Sequence, residues 1–324
     1  MHEKKNPIST LSEGDKVEDI FVVKIKKGMS PYSKGFYFNL LLSDNSGRTL
    51  EYKYWGDKDK KKVKEIYDSI KPDSVVLIKG TVSSYRGKLQ MASNNPKDIQ
   101  VLKKGEYNEK DFIKPPKRNP DEMYRELLEA KESVKNPKIK KLLTIIFEDP
   151  VIEKKFKSHP GGIEIHHNWT GGLLQHSLEV LEYCMLSMKM FPDMDRDLLV
   201  AGALLHDIGK LDELVVTSRI KGTNMGQLVG HIVLGCIFVE NKINEAEIDG
   251  TLKEKILHMM ASHHGRLEYG AAKKPMFAEA IVLYYSDEMS SKIAEIGEFV
   301  RESREETEDD FMYNRRRGYN MFLK

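Results

Sequence analysis

The sequence predicts a multidomain α and β fold: a small all-β barrel followed by an all-α helical bundle. Three observations carry that prediction. At 324 residues the chain exceeds one average domain. Its hydrophobic period changes: up to residue 102, short β-branched and aromatic runs alternate with turn residues, whereas from Asp121 apolar residues recur at helical spacing. The charge balance turns over at the same place. Residues 1–118 hold 25 Lys and Arg against 16 Asp and Glu, and the remainder 27 against 34, although the net charge is only +2. A basic first part suits a polyanion, and an acidic second part suits bound cations.

Residues 1–14 are polar and read as a loose lead-in to a domain over 15–102. Strand runs follow at 20–25, 36–43 and 49–55, the last two joined by the turn residues Asp44-Asn45-Ser46-Gly47. A polar helix over 57–70 and two more strands, 74–85 and 88–92, complete the set. The lysines between 58 and 64 form a solvated helix face. Three strands, a helix and two strands make a five-stranded barrel of the OB type, which binds single-stranded nucleic acid with outward aromatics and basic groups on its second and third strands. With Phe36, Phe38, Leu40 and Leu42 inward, and Leu50, Tyr52 and Tyr54 inward opposite them, the outward candidates are Tyr37, Asn39, Lys53 and Trp55. Tyr85 and Arg86 at the following turn join them.

Residues 103–120, with Pro115-Pro116, Lys117-Arg118 and Pro120, read as a basic linker. Helices follow over 121–133, 137–147 and 150–158, then a loop with His166-His167, a helix over 173–190 carrying His176, and an apolar helix over 197–206. A longer loop, 211–226, offers Arg219 and Lys221 to nucleic acid. Helices then start near His231, at Thr251 and after Pro275, the last carrying Asp287. This second domain spans 121–300, and 301–324 form a charged tail closing on Arg315-Arg316-Arg317. No stretch of ~20 apolar residues occurs, so no membrane span is expected. Cys184 and Cys236 sit in apolar helical patterns and read as free thiols; with no apolar signal core at the N-terminus, a cytoplasmic protein is expected.

The chemistry centres on Leu204-Leu205-His206-Asp207-Ile208-Gly209-Lys210, where an apolar helix ends in an imidazole and a carboxylate, both divalent-metal ligands. The other candidates are His176, His231, His263, His264 and Asp287. Their separations, 30 residues from His176 to His206, 24 from Asp207 to His231, 32 to His263 and 23 from His264 to Asp287, are each about one helical hairpin. Successive ligands therefore return to the same end of the bundle. Five imidazoles and two carboxylates exceed one ion's coordination and suit two.

These residues, within Gly171-Gly172-Leu173-Leu174-Gln175-His176, His206-Asp207-Ile208-Gly209-Lys210, Gly230-His231-Ile232 and Ser262-His263-His264-Gly265, resemble the binuclear HD phosphohydrolase superfamily. With an OB-type domain in front, the chain over about residues 15–300 resembles the YhaM-type family of 3′-to-5′ exoribonucleases. The resemblance implies one metal held by His176, His206, Asp207 and Asp287, another by Asp207, His231, His263 and His264, and a bridging Asp207. It implies a phosphate-facing or leaving-group role for Lys210 and a substrate-side role for His167, which with Asp207 complete the catalytic candidates. Gln175 departs from a frequent acidic residue and Tyr284 from a frequent imidazole. His166 is assigned no role, and His2, His159 and His258 carry no argument.

The function expected is metal-dependent 3′-to-5′ exoribonuclease activity: hydrolysis by a hydroxide that two divalent ions activate, with no covalent enzyme intermediate. Imidazole and carboxylate donors suit Mn, Fe, Co or Zn better than Mg. Resemblance favours Mn2+, with Co2+ as a substitute. Single-stranded RNA is the expected partner and single-stranded DNA a second one; oligomeric state is left open. The rival functions are an HD-type phosphohydrolase of small nucleotides or cyclic dinucleotides, and a non-catalytic RNA-binding protein braced by metal.

Overall fold

In a computed structural model, which describes residues 1–85, 87–163 and 166–324, the strand runs of the first third close into a barrel. The strands are β1 (Lys16–Lys26), β2 (Ser30–Tyr32), β3 (Gly35–Ser43), β4 (Thr49–Trp55), β5 (Val75–Tyr85), β6 (Lys88–Ser93) and β7 (Ile99–Leu102), with helix α1 (Lys60–Ser69) between β4 and β5. Neighbours run β1-β3-β4-β6-β5, and β5 pairs with β1 again. All of these pairings are antiparallel except the parallel β4–β6 pair. This is the OB topology. A register shift between Val23 and Ile25 bends β1, which pairs with β5 through its first half and β3 through its second. Alternation then decides the faces. Phe38, Leu40, Leu42, Leu50, Tyr52 and Tyr54 are buried inside, and Phe36 is half-buried against them. Asp59 caps α1 through the Lys61 and Lys62 amides, and the helix buries Val63 in the barrel core.

The lead-in is not loose. Asp19 and Asp44 are buried and draw the terminus in: Asp19 accepts from the Lys5 and Asn6 amides, Asp44 from the Ile8 amide at 2.8 Å. The Lys4 ammonium lies 3.2 Å from Asp19 and 3.3 Å from Asp44, over the Phe21 ring. Burial lowers its pKa despite both carboxylates. Ile8 and Leu11 join the core. The expected linker is also partly built in, because Phe112 and Ile113 are buried. The chain divides into Met1–Pro115 with Val216–Ile220, and Pro116–Val215 with Lys221–Lys324.

The second unit is helical: α2 (Pro120–Glu132), α3 (Pro137–Phe147), α4 (Pro150–Ser158), α5 (Gly172–Met190), α6 (Arg196–Leu205), α7 (Lys210–Glu213), α8 (Asn224–Val229), α9 (His231–Glu245), α10 (Gly250–Ser262) and α11 (Ala278–Glu306). The first three start alike. Asn119, Asn136 and Asp149 each accept a backbone N–H of the first turn, and a proline follows each at a position that needs no N–H. Residues 211–226 hold more structure than a loop: α7, the hairpin β8 (Leu214–Val216) and β9 (Ile220–Gly222), and α8. The tail is structured too. α11 runs on to Glu306, and the hairpin β10 (Phe311–Asn314) and β11 (Tyr319–Phe322) follows. Burial of Leu323, whose amide bonds Asp310 O at 2.8 Å, anchors it. In the core α5 packs on α6, α2 and α11, α6 also on α3 and α10, and α9 on α3 and α10, with Leu174, Leu178, Leu199, Leu204, Val239, Met259 and Leu283 among the buried side chains. Among the described residues no helix is long and apolar enough to cross a membrane.

Candidate metal centre and nucleic-acid face

Helix ends deliver most of the histidines. His206 caps the C-terminus of α6 with Asp207 next to it, His231 is the first residue of α9, and His263 caps α10 with His264 beyond. His176 lies in the second turn of α5, and Asp287 within α11. Gly209 lets α9 approach: a Cβ there would stand 2.0 Å from His231 O. A Cβ on Gly172 would stand 1.9 Å from His167 O, so only glycine admits that loop against α5.

Each ligand imidazole is anchored by Nδ1 and presents Nε2 to one centre. Nδ1–H of His206 donates to Ala203 O at 2.9 Å, that of His263 to Met260 O and that of His264 to Tyr269 O at 2.8 Å. His231 Nδ1 bonds Glu213 Oε1 at 3.0 Å. His176 Nδ1 bonds Ser290 Oγ at 3.0 Å, and that hydroxyl donates to Glu179 Oε2 at 2.8 Å. These partners place the proton on Nδ1 and leave the Nε2 lone pairs facing inward. Yet His176 and His206 Nε2 are 3.2 Å apart, and His231 and His264 Nε2 are 3.3 Å apart. Asp207 lies between: Oδ2 is 3.4 Å from Nε2 of His176 and His206, Oδ1 3.5 Å from His231 and 3.6 Å from His263. Asp287 Oδ1 is 3.1 Å from His176 Nε2.

Facing lone pairs at that spacing call for a cation between them. Asp207 Oδ1 and His263 Nε2 are moreover buried with no hydrogen-bond partner. The donors fall into two groups sharing Asp207: with His176 and His206, and with His231, His263 and His264. This set fits divalent cations. Protonation agrees. Burial lowers His176 and His263 to about 4, and lowers His264 as well, so these imidazoles are neutral at pH 7. Burial works against the carboxylates, yet Lys210 and His206 hold Asp207 far below its ordinary value, and His176 and His206 do so for Asp287. His206 moves the other way: burial opposes its charge, but Asp207 outweighs it and raises the pKa.

The structure gives two of the catalytic candidates specific partners. Lys210 Nζ is ion-paired with Asp207 Oδ2 at 2.6 Å and donates to Gly161 O at 2.8 Å, so it braces the shared carboxylate at the cleft wall. His167 is fully buried, with φ of +55°, and its Nε2 meets Glu179 Oε2 at 3.0 Å. The loop turns His166 to the cleft instead. Sequence reasoning missed Glu179, Glu213 and Ser290. Each stands three residues after a named candidate, His176, Lys210 and Asp287, the spacing of neighbours on one helix face. Burial opposes ionisation of Glu179, but His167, Gln175 and Ser290 hold it down at about 2. Gln175 donates to Glu179 and accepts from Trp169 Nε1. The Tyr284 hydroxyl meets Glu288 while its ring covers Gly265. The centre opens into a cleft of about 1020 Å³, lined by His231, His264 and Asp287 as well as Tyr269, Tyr284 and Arg316.

On the barrel, Tyr37 and Trp55 stand side by side on paired β3 and β4, their rings 5.1 Å apart. Lys53 Nζ lies 5.1 Å from the Trp55 ring and 6.0 Å from that of Tyr37. Tyr32 on β2, not foreseen, adds a third ring 4.8 Å from Trp55. All are half-buried. Asn39 instead donates to Glu51, which also meets Lys27. Tyr85 is exposed at the end of β5, and Arg86 lies outside the described residues. Arg219 is paired with Asp73, and Lys221 is half-buried on β9.

The chain matches the family described as the HD domain over residues 173–292. It is 30% identical over 281 residues to the 3′-5′ exoribonuclease YhaM of Bacillus subtilis, covering 86% of each chain. It is 29% identical to the protein of the same name from a Geobacillus species, covering 86% of this chain and 83% of that one. Among solved structures, the second OB-fold domain of replication protein A from Methanococcus maripaludis aligns with 32% of this chain and 97% of its own, at 17% identity and a TM-score of 0.25. A replication protein A heterotrimer bound to ssDNA aligns with 37% of this chain and 29% of its own, at 17% identity and a TM-score of 0.27.

Proposed function

Because the chain belongs to the YhaM family of 3′-5′ exoribonucleases, we propose that it is a hydrolase that shortens single-stranded RNA from its 3′ end, with single-stranded DNA as a second substrate. The observation that carries this reading is the convergence of five Nε2 atoms on one buried, ionised carboxylate. His176, His206, Asp207 and Asp287 would hold one divalent ion, and Asp207, His231, His263 and His264 a second. Manganese is our choice, with cobalt, iron or zinc as substitutes. Ions held there polarise a phosphodiester and lower the pKa of water.

The chain's own residues supply the rest. Ala203 O, Met260 O, Tyr269 O, Glu213 and the Ser290–Glu179 pair fix the rings, so the donor set is arranged before substrate arrives. Lys210 keeps positive charge at the cleft wall and holds Asp207 ionised. No side chain is assigned as a nucleophile, and water takes that place. Tyr32, Tyr37, Trp55 and Lys53 would stack on bases and attract phosphates, giving affinity without sequence readout.

The test is direct. Strip the protein with a chelator, restore manganese, and follow RNA and DNA oligomers labelled at the 5′ end. A ladder of shortened products that keep the label, present only with metal, is expected. Immediate release of the label, or no metal-dependent cleavage, would overturn the reading.

A further inference from the structure

We infer that the turn of the C-terminal hairpin is a phosphate-binding wall of the catalytic cleft, through which Arg316 and Arg317 bind the RNA backbone on the 5′ side of the bond being cut. This rests on the exonuclease reading. Both arginines line the same cleft as His231, His264 and Asp287. At about 1020 Å³ the cleft lies at the upper end of the 300–1,000 Å³ or so typical of drug-sized ligands, so it has room beyond the scissile phosphate. When a strand is trimmed from its 3′ end, the polymer leaving the site is the 5′ portion, and its next feature is another phosphodiester.

The wall is a built element. Asn314, buried, accepts from the amides of Arg316 and Arg317 at 3.0 and 3.1 Å, and Gly318 closes the turn with φ of +76°. Arg304 donates to Leu323 O and ties the hairpin to α11. Arg317 Nη2 meets Glu295 Oε2 at 2.5 Å, which orients the guanidinium. Its Nε is buried without a hydrogen-bond partner. A planar, permanently charged guanidinium suits a phosphodiester, which offers two oxygens in matching geometry.

The experiment uses the full chain with manganese and two substrates, an oligoribonucleotide and the small diester bis(p-nitrophenyl) phosphate. In the Arg316→Gln/Arg317→Gln variant, KM for the oligomer should rise about tenfold or more, and the log–log salt dependence of binding should become shallower by roughly 0.7 for each phosphate that the protein no longer neutralises. Hydrolysis of the small diester should stay at the wild-type rate. Arg317→Lys should restore part of the affinity. An unchanged oligomer KM and salt slope would overturn the inference while leaving the exonuclease reading intact. Equal losses on both substrates would also overturn it, making the hairpin a prop for the fold. A wild-type protein inactive on RNA would instead sink the reading underneath.

Discussion

The centre around Asp207 and the aromatic face of the barrel both gather side chains from distant sequence positions, but they hold them differently. Around Asp207 the rings of His176, His206 and His263 are fully or almost fully buried, and each ligand imidazole has its second nitrogen tied to a named partner. On the barrel, Tyr32, Tyr37 and Trp55 are half-buried and meet one another at ring separations of 4.8 to 6.2 Å. Bond hydrolysis needs charges fixed before the transition state forms, whereas holding any sequence of bases needs surfaces that adjust. A change at the first place should therefore abolish turnover and spare binding, and a change at the second should do the reverse.

Asp207→Asn gives the hardest test. Removing one preorganised group from a reaction centre lowers rate by about 10²–10³-fold, and Asp207 serves both donor groups, so a loss at the top of that range or beyond is expected. RNA affinity measured in chelator should not change. A parallel fall in both would mean that the two regions are not separate in function. Glu179→Gln comes next. It weakens the hydrogen bond to Ser290, the partner that sets His176, and the contact with His167, and loss of such an outer partner lowers activity or metal affinity by about 10–100-fold. Metal titration of activity should separate the two, and wild-type behaviour in both would remove Glu179 from the centre.

Much of the centre is legible in the sequence because its residues are rare and regularly spaced. His206-Asp207 and His263-His264 end apolar helices, and hairpin-length spacing returns them to one end of a bundle. What stays hidden is ring direction. Nothing in the order of residues shows that His167 turns away from the cleft while His166 faces it; that follows from a left-handed backbone at His167 and close approach at Gly172. Glu179, Glu213 and Ser290 are hidden differently, as ordinary polar residues whose i+3 spacing gains meaning only once the ligands are placed. The barrel shows the opposite balance. Alternation orients Phe38, Tyr52 and Trp55, but Tyr32 sits in a three-residue strand with no periodicity to read. The Lys4–Asp19–Asp44 cluster joins residues whose local sequence is merely polar.

Trp55→Ala addresses the barrel. Stacking on one base contributes about 1–3 kcal/mol, so RNA affinity should fall by roughly tenfold while hydrolysis of a small diester is unaltered. Loss of diester hydrolysis would contradict the division of labour. An affinity equal to wild type would move the binding face elsewhere on the barrel.

The smallest effect should appear in stability, and the sequence supplies its own reporters: Trp55 in the first unit and Trp169 in the second are the only two tryptophans. Burial puts His176 and His263 at about 4 and His166 at about 3 in the folded protein, against 6.5 for an exposed imidazole. Between those values the unfolded chain binds more protons than the folded one, so stability is fully present above about pH 6.5 and is lost as pH falls toward 4. His206, raised, opposes this in part. The first unit holds only the exposed His2 in residues 1–115, and so no buried imidazole. In chelator, the Trp55→Phe variant should therefore melt several degrees lower at pH 5 than at pH 7 when followed through Trp169. The Trp169→Phe variant, followed through Trp55, should change less. Added manganese should raise the first melting temperature at pH 7 and lose that effect at pH 5, because protons and cations compete for the same Nε2 lone pairs. Equal pH dependence in the two signals would mean that the buried imidazoles do not set the stability of the second unit.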